Sequence, residues 1–149
     1  MKETCNIIAC GNEVKNFDLS TLKGDVMVIN GAITLYPNAK YFIALDAVVF
    51  KRYEKWLKDF KGIKFNDRRM TGTKQIPQYP QVNLTGYSAI RTAQELGYKT
   101  INLIGFDAKG TGDAFGFNEL TEAAHELMID ACKDMKLNFL TKSAINGTL

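Results

Sequence analysis

Six short apolar runs punctuate the chain, and between them the apolar positions fall at helical rather than alternating spacing. The runs are residues 5–10 (CNIIAC), 25–30 (DVMVIN), 41–45 (YFIAL), 62–65 (GIKF), 100–105 (TINLIG) and 136–141 (KLNFLT). Short runs without strict alternation predict strands covered on both faces. Helical spacing predicts a helix over 48–60, carrying Val49, Tyr53, Trp56, Leu57 and Phe60. A second is predicted over 86–96, with Ala89, Ile90, Ala93 and Leu96 on one face, N-capped by Thr85 and ended by Gly97 in a left-handed C-cap. A third is predicted over 118–135, with Asn118 as N-cap and an apolar stripe of Leu120, Ala124, Leu127, Met128, Ala131 and Met135. Strand and helix in alternation argue an α/β fold, a mainly parallel sheet with helices on both faces. Residues 66–81 (NDRRMTGTKQIPQYPQ) fit no period. They read as a solvated excursion, such as a hairpin, or as a lid or binding loop.

Composition narrows this picture. A chain of 149 residues with 46% hydrophobic and 23% charged residues suits one folded domain over 1–149 and excludes general disorder. The net charge of +3 is compatible with an anionic ligand and too small to argue nucleic acid, so no nucleic-acid partner is expected. Cys5, Cys10 and Cys132 have no metal-site or disulfide-framework spacing. No apolar run reaches the roughly 20 residues of a membrane span, and the start of the chain has too short an apolar stretch for a signal peptide. A cytoplasmic protein is expected, and a homo-oligomer is compatible with all of this.

The candidate chemistry lies where the strands end. In an open parallel sheet, ligands bind beyond the carboxyl ends of the strands. The first run ends in Cys10-Gly11-Asn12, the second in Asn30-Gly31, the third at Asp46, and the fifth at Asp107 before Lys109-Gly110-Thr111-Gly112. Gly11 allows backbone to approach a ligand closely. Asn12 and Asn30 can donate to and accept from base edges and ribose hydroxyls. Asp46 and Asp107 can accept from ribose or sugar hydroxyls, or together hold a divalent metal, for which two carboxylates alone are a weak signal. Thr85 opens a helix whose amides at Gly86, Tyr87 and Ser88, with the helix dipole, form a ready anion site. Neither a dinucleotide fingerprint nor a Walker loop occurs. Residues 110–117 (GTGDAFGF) read as a loop before the last helix that closes over a ligand. His125 falls off the apolar stripe and reads as a surface histidine. Cys10 has no activating base in view and reads as a small buried cysteine. Tyr87 and Tyr98 read as packing residues.

Three blocks carry a family pattern: IIACGNEVKNFDLSTLKGDVMVINGAI, YFIALD and LTGYSAIRTAQELGYKTINLIGFD. Together they resemble a Rossmann-like superfamily. It includes the small bacterial sialyltransferases (glycosyltransferase family 42), the motility-accessory-factor flagellin glycosylation proteins and the archaeal hydroxymethylpterin diphosphokinases. The resemblance spans roughly residues 6–142 and is most specific in the last block. It implies a single three-layer α/β/α Rossmann-like domain that binds a nucleotide or nucleotide-sugar donor, a CMP-linked one among the candidates. It also implies places for individual residues. Gly11 and Asn12 would lie against phosphates or ribose, and Asn30 would face the nucleotide or leaving group. Asp46 would sit at the donor or acceptor crevice. Thr85 and Gly86 would hold phosphate or ribose, while Gly105 and Asp107 would line the base and ribose pocket. Where the family has G-x-G-P-S, this chain has Cys10-Gly11-Asn12-Glu13-Val14. Val82 stands in place of an arginine, Phe117 in place of the family's histidine, and the lid shortens to 108–118.

Two functions are therefore expected. The first is a small glycosyltransferase-like transferase with reduced or altered catalytic residues, Asp46 and Asp107 being the catalytic candidates and its metal dependence open. The second is a non-catalytic nucleotide-binding or interaction protein of the same fold, a phage accessory protein among the options.

Overall fold

The computed structural model describes residues 2–109, 114, 115 and 122–149. The expected N-cap Asn118 and Phe117 lie outside these residues, as does all of 110–117 except Ala114 and Phe115. The strands are β1 (Thr4–Ile8), β2 (Asp25–Ile29), β3 (Tyr41–Ile43), β4 (Ile63–Asn66), β5 (Lys74–Gln75), β6 (Thr100–Ile104) and β7 (Asn138–Phe139). They form one sheet in the order β5-β4-β3-β2-β1-β6-β7, and every pairing is parallel. This is the three-layer α/β architecture expected from the alternation of runs.

The register puts alternate residues on opposite faces. Leu103, Ile7, Met27 and Tyr41 stand side by side across the sheet. They share the first face with α3 (Thr85–Glu95) and α4 (Glu122–Cys132), which bring Ile90, Ala93, Met128 and Cys132 into the same core. The neighbouring row, Ile104, Ile8, Val28 and Phe42, faces the other way. Two 3₁₀ turns (Asn12–Asn16 and Asn30–Thr34) and the short helices α1 (Ala47–Arg52) and α2 (Glu54–Leu57) cover that second core. Burial on both faces explains why the strand runs do not alternate in polarity.

A polar row interrupts the second face. Asn6, Asn102 and Asn138 are register neighbours on β1, β6 and β7. Asn102 donates to Asn6 Oδ1 at 2.8 Å, and Asn138 donates to Asn102 Oδ1 at 3.2 Å. Asn6, fully buried, donates onward to the Lys23 carbonyl at 2.7 Å. Each amide is satisfied by the next, which is what allows the innermost one to be buried.

The structure corrects four local expectations. The single helix over 48–60 is broken at Tyr53 (φ −106°, ψ 23°) into α1 and α2. Its buried residues Val49, Tyr53 and Leu57 are four apart, and on a helix of 3.6 residues per turn such a line drifts by about 40° per step. The break resets the phase, so all three stay in the core. Residues 66–81 do not form a hairpin: β5 runs parallel to β4. Leu84, not Thr85, is the N-cap of α3, with no side-chain cap, and Thr85 is the first helical residue. Finally, the buried line of α4 is His125, Met128 and Cys132, while Leu127 is 54% exposed. The expected stripe was rotated because it omitted Cys132, which packs as a small hydrophobe. Gly97 does take the left-handed conformation expected of it, at φ 90°.

Candidate functional site

The chain runs from β1 outward through β2, β3 and β4 to β5, then returns to place β6 on the other side of β1. The connections leaving β1 and β6 therefore diverge and open a crevice at the carboxyl ends of these two strands, the topological switch point where open α/β sheets bind ligands. A cavity of about 470 Å³ occupies this place, within the size range of small-molecule sites.

Its floor is backbone. Beyond the strand ends the ladder continues, with Ala9 N–H donating to Ile104 and Gly11 N–H donating to Gly105, both at 2.8 Å. A β-carbon on Gly11 would overlap the Asp107 carboxylate and the Gly105 carbonyl. Gly105 itself holds φ at 74°, and a β-carbon there would stand 2.8 Å from the Ala9 carbonyl oxygen. Only glycine at both positions lets the two turns approach each other and leaves main chain bare to the cavity.

Asp107 builds this floor. Its carboxylate is 5% exposed and accepts the backbone N–H of Glu13 at 3.1 and 3.3 Å, with a further backbone bond from Asn12. Burial raises its pKa above the ordinary aspartate value. The amide of Glu13 opposes that shift, and the negative charge of Glu13 adds to it. The Glu13 side chain accepts from Asn16 Nδ2, and Glu13 is not a wall of the cavity.

Asn30 forms another wall. It sits directly after β2 with φ at 51°, in the left-handed region. Its Oδ1 is buried and has no hydrogen-bond partner among the described residues. A strained residue with an unsatisfied buried acceptor, set in a cavity, is the pattern of a ligand contact held in place by its surroundings.

Asp46 lines the cavity as the N-cap residue of α1, yet its carboxylate makes no cap hydrogen bond. Among the described residues it has no polar side-chain partner. The start of α3 supplies Asn83, Leu84, Thr85 and Gly86 to the wall. Ser88 N–H already donates to the Leu84 carbonyl at 3.1 Å. The first-turn amides of Thr85, Gly86 and Tyr87 are those without an intrahelical acceptor, which shifts the expected anion site by one residue. Gly86 packs tightly: a β-carbon would meet Met128 and Phe106 at 3.0 Å.

Of the residues expected at the site, the fold brings Gly11, Asn30, Asp46, Thr85, Gly86, Gly105 and Asp107 around one cavity. It does not bring Ser88, which is 1% exposed in the core, or Asn12, whose place is in the turn behind the cavity floor. Cys10, expected as a buried cysteine, is half-buried on the cavity wall, and its thiol donates to the Ile29 carbonyl at 3.2 Å. His125 is a larger correction. It is 7% exposed rather than on the surface, and it lines the cavity beside Met128. Arg52 at the end of α1, Tyr53 at the break after it and Phe115 also line the walls and were not expected at the site from the sequence. A signal existed for His125, since counting Cys132 as apolar rotates the stripe onto it. No local pattern pointed to Arg52 or Phe115, whose place depends on how separate segments pack. Residues 66–82 contribute no wall. Among the described residues there is no cluster of three or more metal-ligating side chains.

No protein-family model matches the chain, and no curated protein matches it by sequence. The fold does have neighbours of known structure. One is the sialyltransferase CstII from Campylobacter jejuni in complex with cytidine-5'-monophosphate, at a TM-score of 0.58 and 15% identity over 93% of this chain and 80% of that one. The same enzyme in complex with CMP-3FNeuAc gives a TM-score of 0.57 at 14% identity, over 99% of this chain and 84% of that one. A protein from Lactobacillus plantarum gives 0.50 at 13% identity, over 94% of this chain and 62% of that one. At these identities the likeness is one of fold, and the fold of this chain is sialyltransferase-like.

Proposed function

We propose that the cavity at the β1/β6 switch point binds a nucleotide-linked sugar and that the chain transfers the sugar to an acceptor hydroxyl. The observation that carries this reading is Asn30, held left-handed with a buried, unsatisfied Oδ1 on the cavity wall. Such an acceptor matches an N–H or O–H of a base or ribose. The bare backbone at Gly11 and Gly105 admits the flat nucleoside, and the amides of Thr85 and Gly86 receive its phosphate. Arg52 and Lys109 add positive charge to the walls.

In the transfer, the acceptor oxygen bonds to the anomeric carbon while the bond from that carbon to phosphate breaks. The nucleotide leaves with the electron pair, and the acceptor proton passes to a base. His125 and Asp46 are the wall residues suited to that role. The support from the neighbours is coarser: the CstII complexes contain CMP and a CMP-sugar analogue, which makes CMP-linked donors the first to test.

The alternative, a binder without chemistry, is favoured by one observation. Asp107, a catalytic candidate, holds backbone amides instead of facing a substrate with free oxygens. A thermal-shift screen of CMP, CDP, UDP, GDP, ADP and their sugar conjugates, with and without Mg²⁺ or Mn²⁺, tests both readings. A ligand bound only by the folded state stabilises it by about 2.7 kcal/mol at a hundredfold excess over Kd. A shift with one nucleotide and release of that nucleotide from its sugar conjugate in the presence of acceptors supports the transferase. A shift without turnover supports the binder, and a panel with no shift overturns both.

A further inference from the structure

The largest excess of positive charge lies in a stretch that supplies no wall of the cavity. Residues 55–74 hold seven Lys and Arg against two Asp, an excess of five, whereas the whole chain's excess is three, with 19 against 16. The remainder is therefore net negative. One of the two acids, Asp67, is 6% exposed, so at the surface Asp59, joined by the exposed Glu54 at the start of α2, offsets the seven cations. Six of the seven are exposed: Lys55, Lys58, Lys61, Arg68, Arg69 and Lys74. None of the seven forms an ion pair among the described residues.

These residues share one region of the fold, the β4–β5 edge of the sheet and the segment around α2 that lies over it. Phe60, just after α2, packs edge-on against Phe42 of β3. Phe42 is the register partner of Lys64, which places Lys64 on the same side as α2. The Lys64 ammonium lies 4.0 Å from the position a Gly72 β-carbon would take, so the side chain spans from β4 to the turn before β5. One large apolar side chain stands among these cations with much of its surface in water, Trp56 at 40%.

A lysine on an edge strand commonly blocks sheet-to-sheet pairing, but β5 is two residues long and Lys74 already serves that purpose. The other six cations extend across α2, its following loop and the turn after β4. Ordinary solvated surfaces mix the two signs evenly, whereas here seven cations stand against two exposed acids, Glu54 and Asp59.

We propose that this edge is a docking surface for an anionic phospholipid bilayer. Lysines on flexible stems, five of the seven cations, each strengthen attachment to an anionic leaflet by roughly fivefold. Exposed Trp56 on α2 supplies the shallow apolar insertion that interfacial binding also needs. No helix among the described residues is long and apolar enough to cross a membrane, so the attachment is peripheral. The patch adjoins the cavity through Tyr53, which lines the cavity and meets Trp56 edge-on at 5.9 Å. The proposal does not depend on what the cavity binds.

Vesicle flotation of the purified chain tests it. Phosphatidylcholine vesicles with and without phosphatidylserine are compared at about 0.1 M and about 1 M salt, where the Debye length falls from about 10 Å to about 3 Å. The expected result is binding to the anionic vesicles at low salt, at least about tenfold weaker binding to the neutral ones, and loss at high salt. Lys58→Glu with Lys61→Glu and Lys64→Glu should weaken binding at least about a hundredfold at an unchanged Tm. Trp56→Ser should weaken it several-fold or more at low salt. Failure to float with anionic vesicles, or binding unaffected by the charge reversals, overturns the proposal. So does binding of a short single-stranded oligonucleotide as tightly as the vesicles with no effect of Trp56→Ser, because the surface would then read polyanions without a bilayer.

Discussion

The Asp107 carboxylate accepts the backbone N–H of Glu13 at 3.1 Å across 94 residues of sequence. This bond joins the loop after β6 to the turn after β1 and closes the floor of the cavity. Asp46 and Asp107 are indistinguishable in the sequence as acids that follow strands, but the structure separates them. Asp107→Ala is expected to leave buried amides unsatisfied and cost about 1–3 kcal/mol. Asp46→Ala, an exposed substitution, is expected to change stability by no more than about 0.5 kcal/mol while abolishing transfer or weakening nucleotide binding. Urea denaturation alongside donor-binding titrations measures both.

Gly11→Ala places a methyl group onto the Asp107 carboxylate and the Gly105 carbonyl. One of these is main chain and cannot swing away, so a loss of roughly 2–3 kcal/mol is expected, together with loss of the nucleotide response. A wild-type Tm would show that the two turns are not in contact.

Asn30→Gly separates strain from function. Glycine takes the left-handed conformation without a β-carbon penalty, and the substitution removes a buried acceptor that has no partner among the described residues. Stability is expected to hold within about 0.5 kcal/mol or to rise, while nucleotide affinity falls about tenfold or more. Calorimetric titration and thermal melts on the same sample give the two numbers.

His125→Gln keeps polarity and approximate size on the cavity wall. If His125 receives the acceptor proton, turnover should fall by about 10²–10⁴-fold with donor binding within about threefold of wild type. Equal losses in binding and turnover would instead make it a positioning residue.

The far end of the sheet carries a network with a pH signature. Tyr98 donates to Asp25 at 2.5 Å, Tyr41 and Tyr98 hydroxyls meet at 2.7 Å, and Lys40 pairs with Asp25 at 3.2 Å. The Tyr98 hydroxyl, with lesser help from Lys40, lowers the Asp25 pKa below its usual 3.8. A carboxyl depressed on folding contributes stability above its unfolded pKa and loses it as pH falls through the folded value. Tyr98→Phe should therefore shrink the acid-side loss of stability below about pH 4. Asp107 has the opposite sign: its raised pKa means its contribution is present below 3.8 and is lost as pH rises through the folded value. Denaturation midpoints followed across the acid range, in wild type and Tyr98→Phe, check the first effect. The same series in Asp107→Asn checks the second.

Local pattern determined where six of the seven strands and α3 fall, because burial on both faces leaves unbroken apolar runs such as YFIAL and helical stripes such as Ala89, Ile90 and Ala93; it showed neither β5 nor the break at Tyr53. It also determined that polar and glycine residues gather where strands end and where the helix from Thr85 begins, and seven of the residues so identified line one cavity. Strand order decided the rest. The position of β6 beside β1 set where the cavity opens, and a contact across 94 residues made Asp107, on the cavity wall, a brace for Glu13 as well. His125 entered the wall because the rotation of a helix depends on the core it packs against, and its own period does not specify that core. Arg52 and Phe115 reached the same cavity from segments that share no local pattern, and only their packing brought them together.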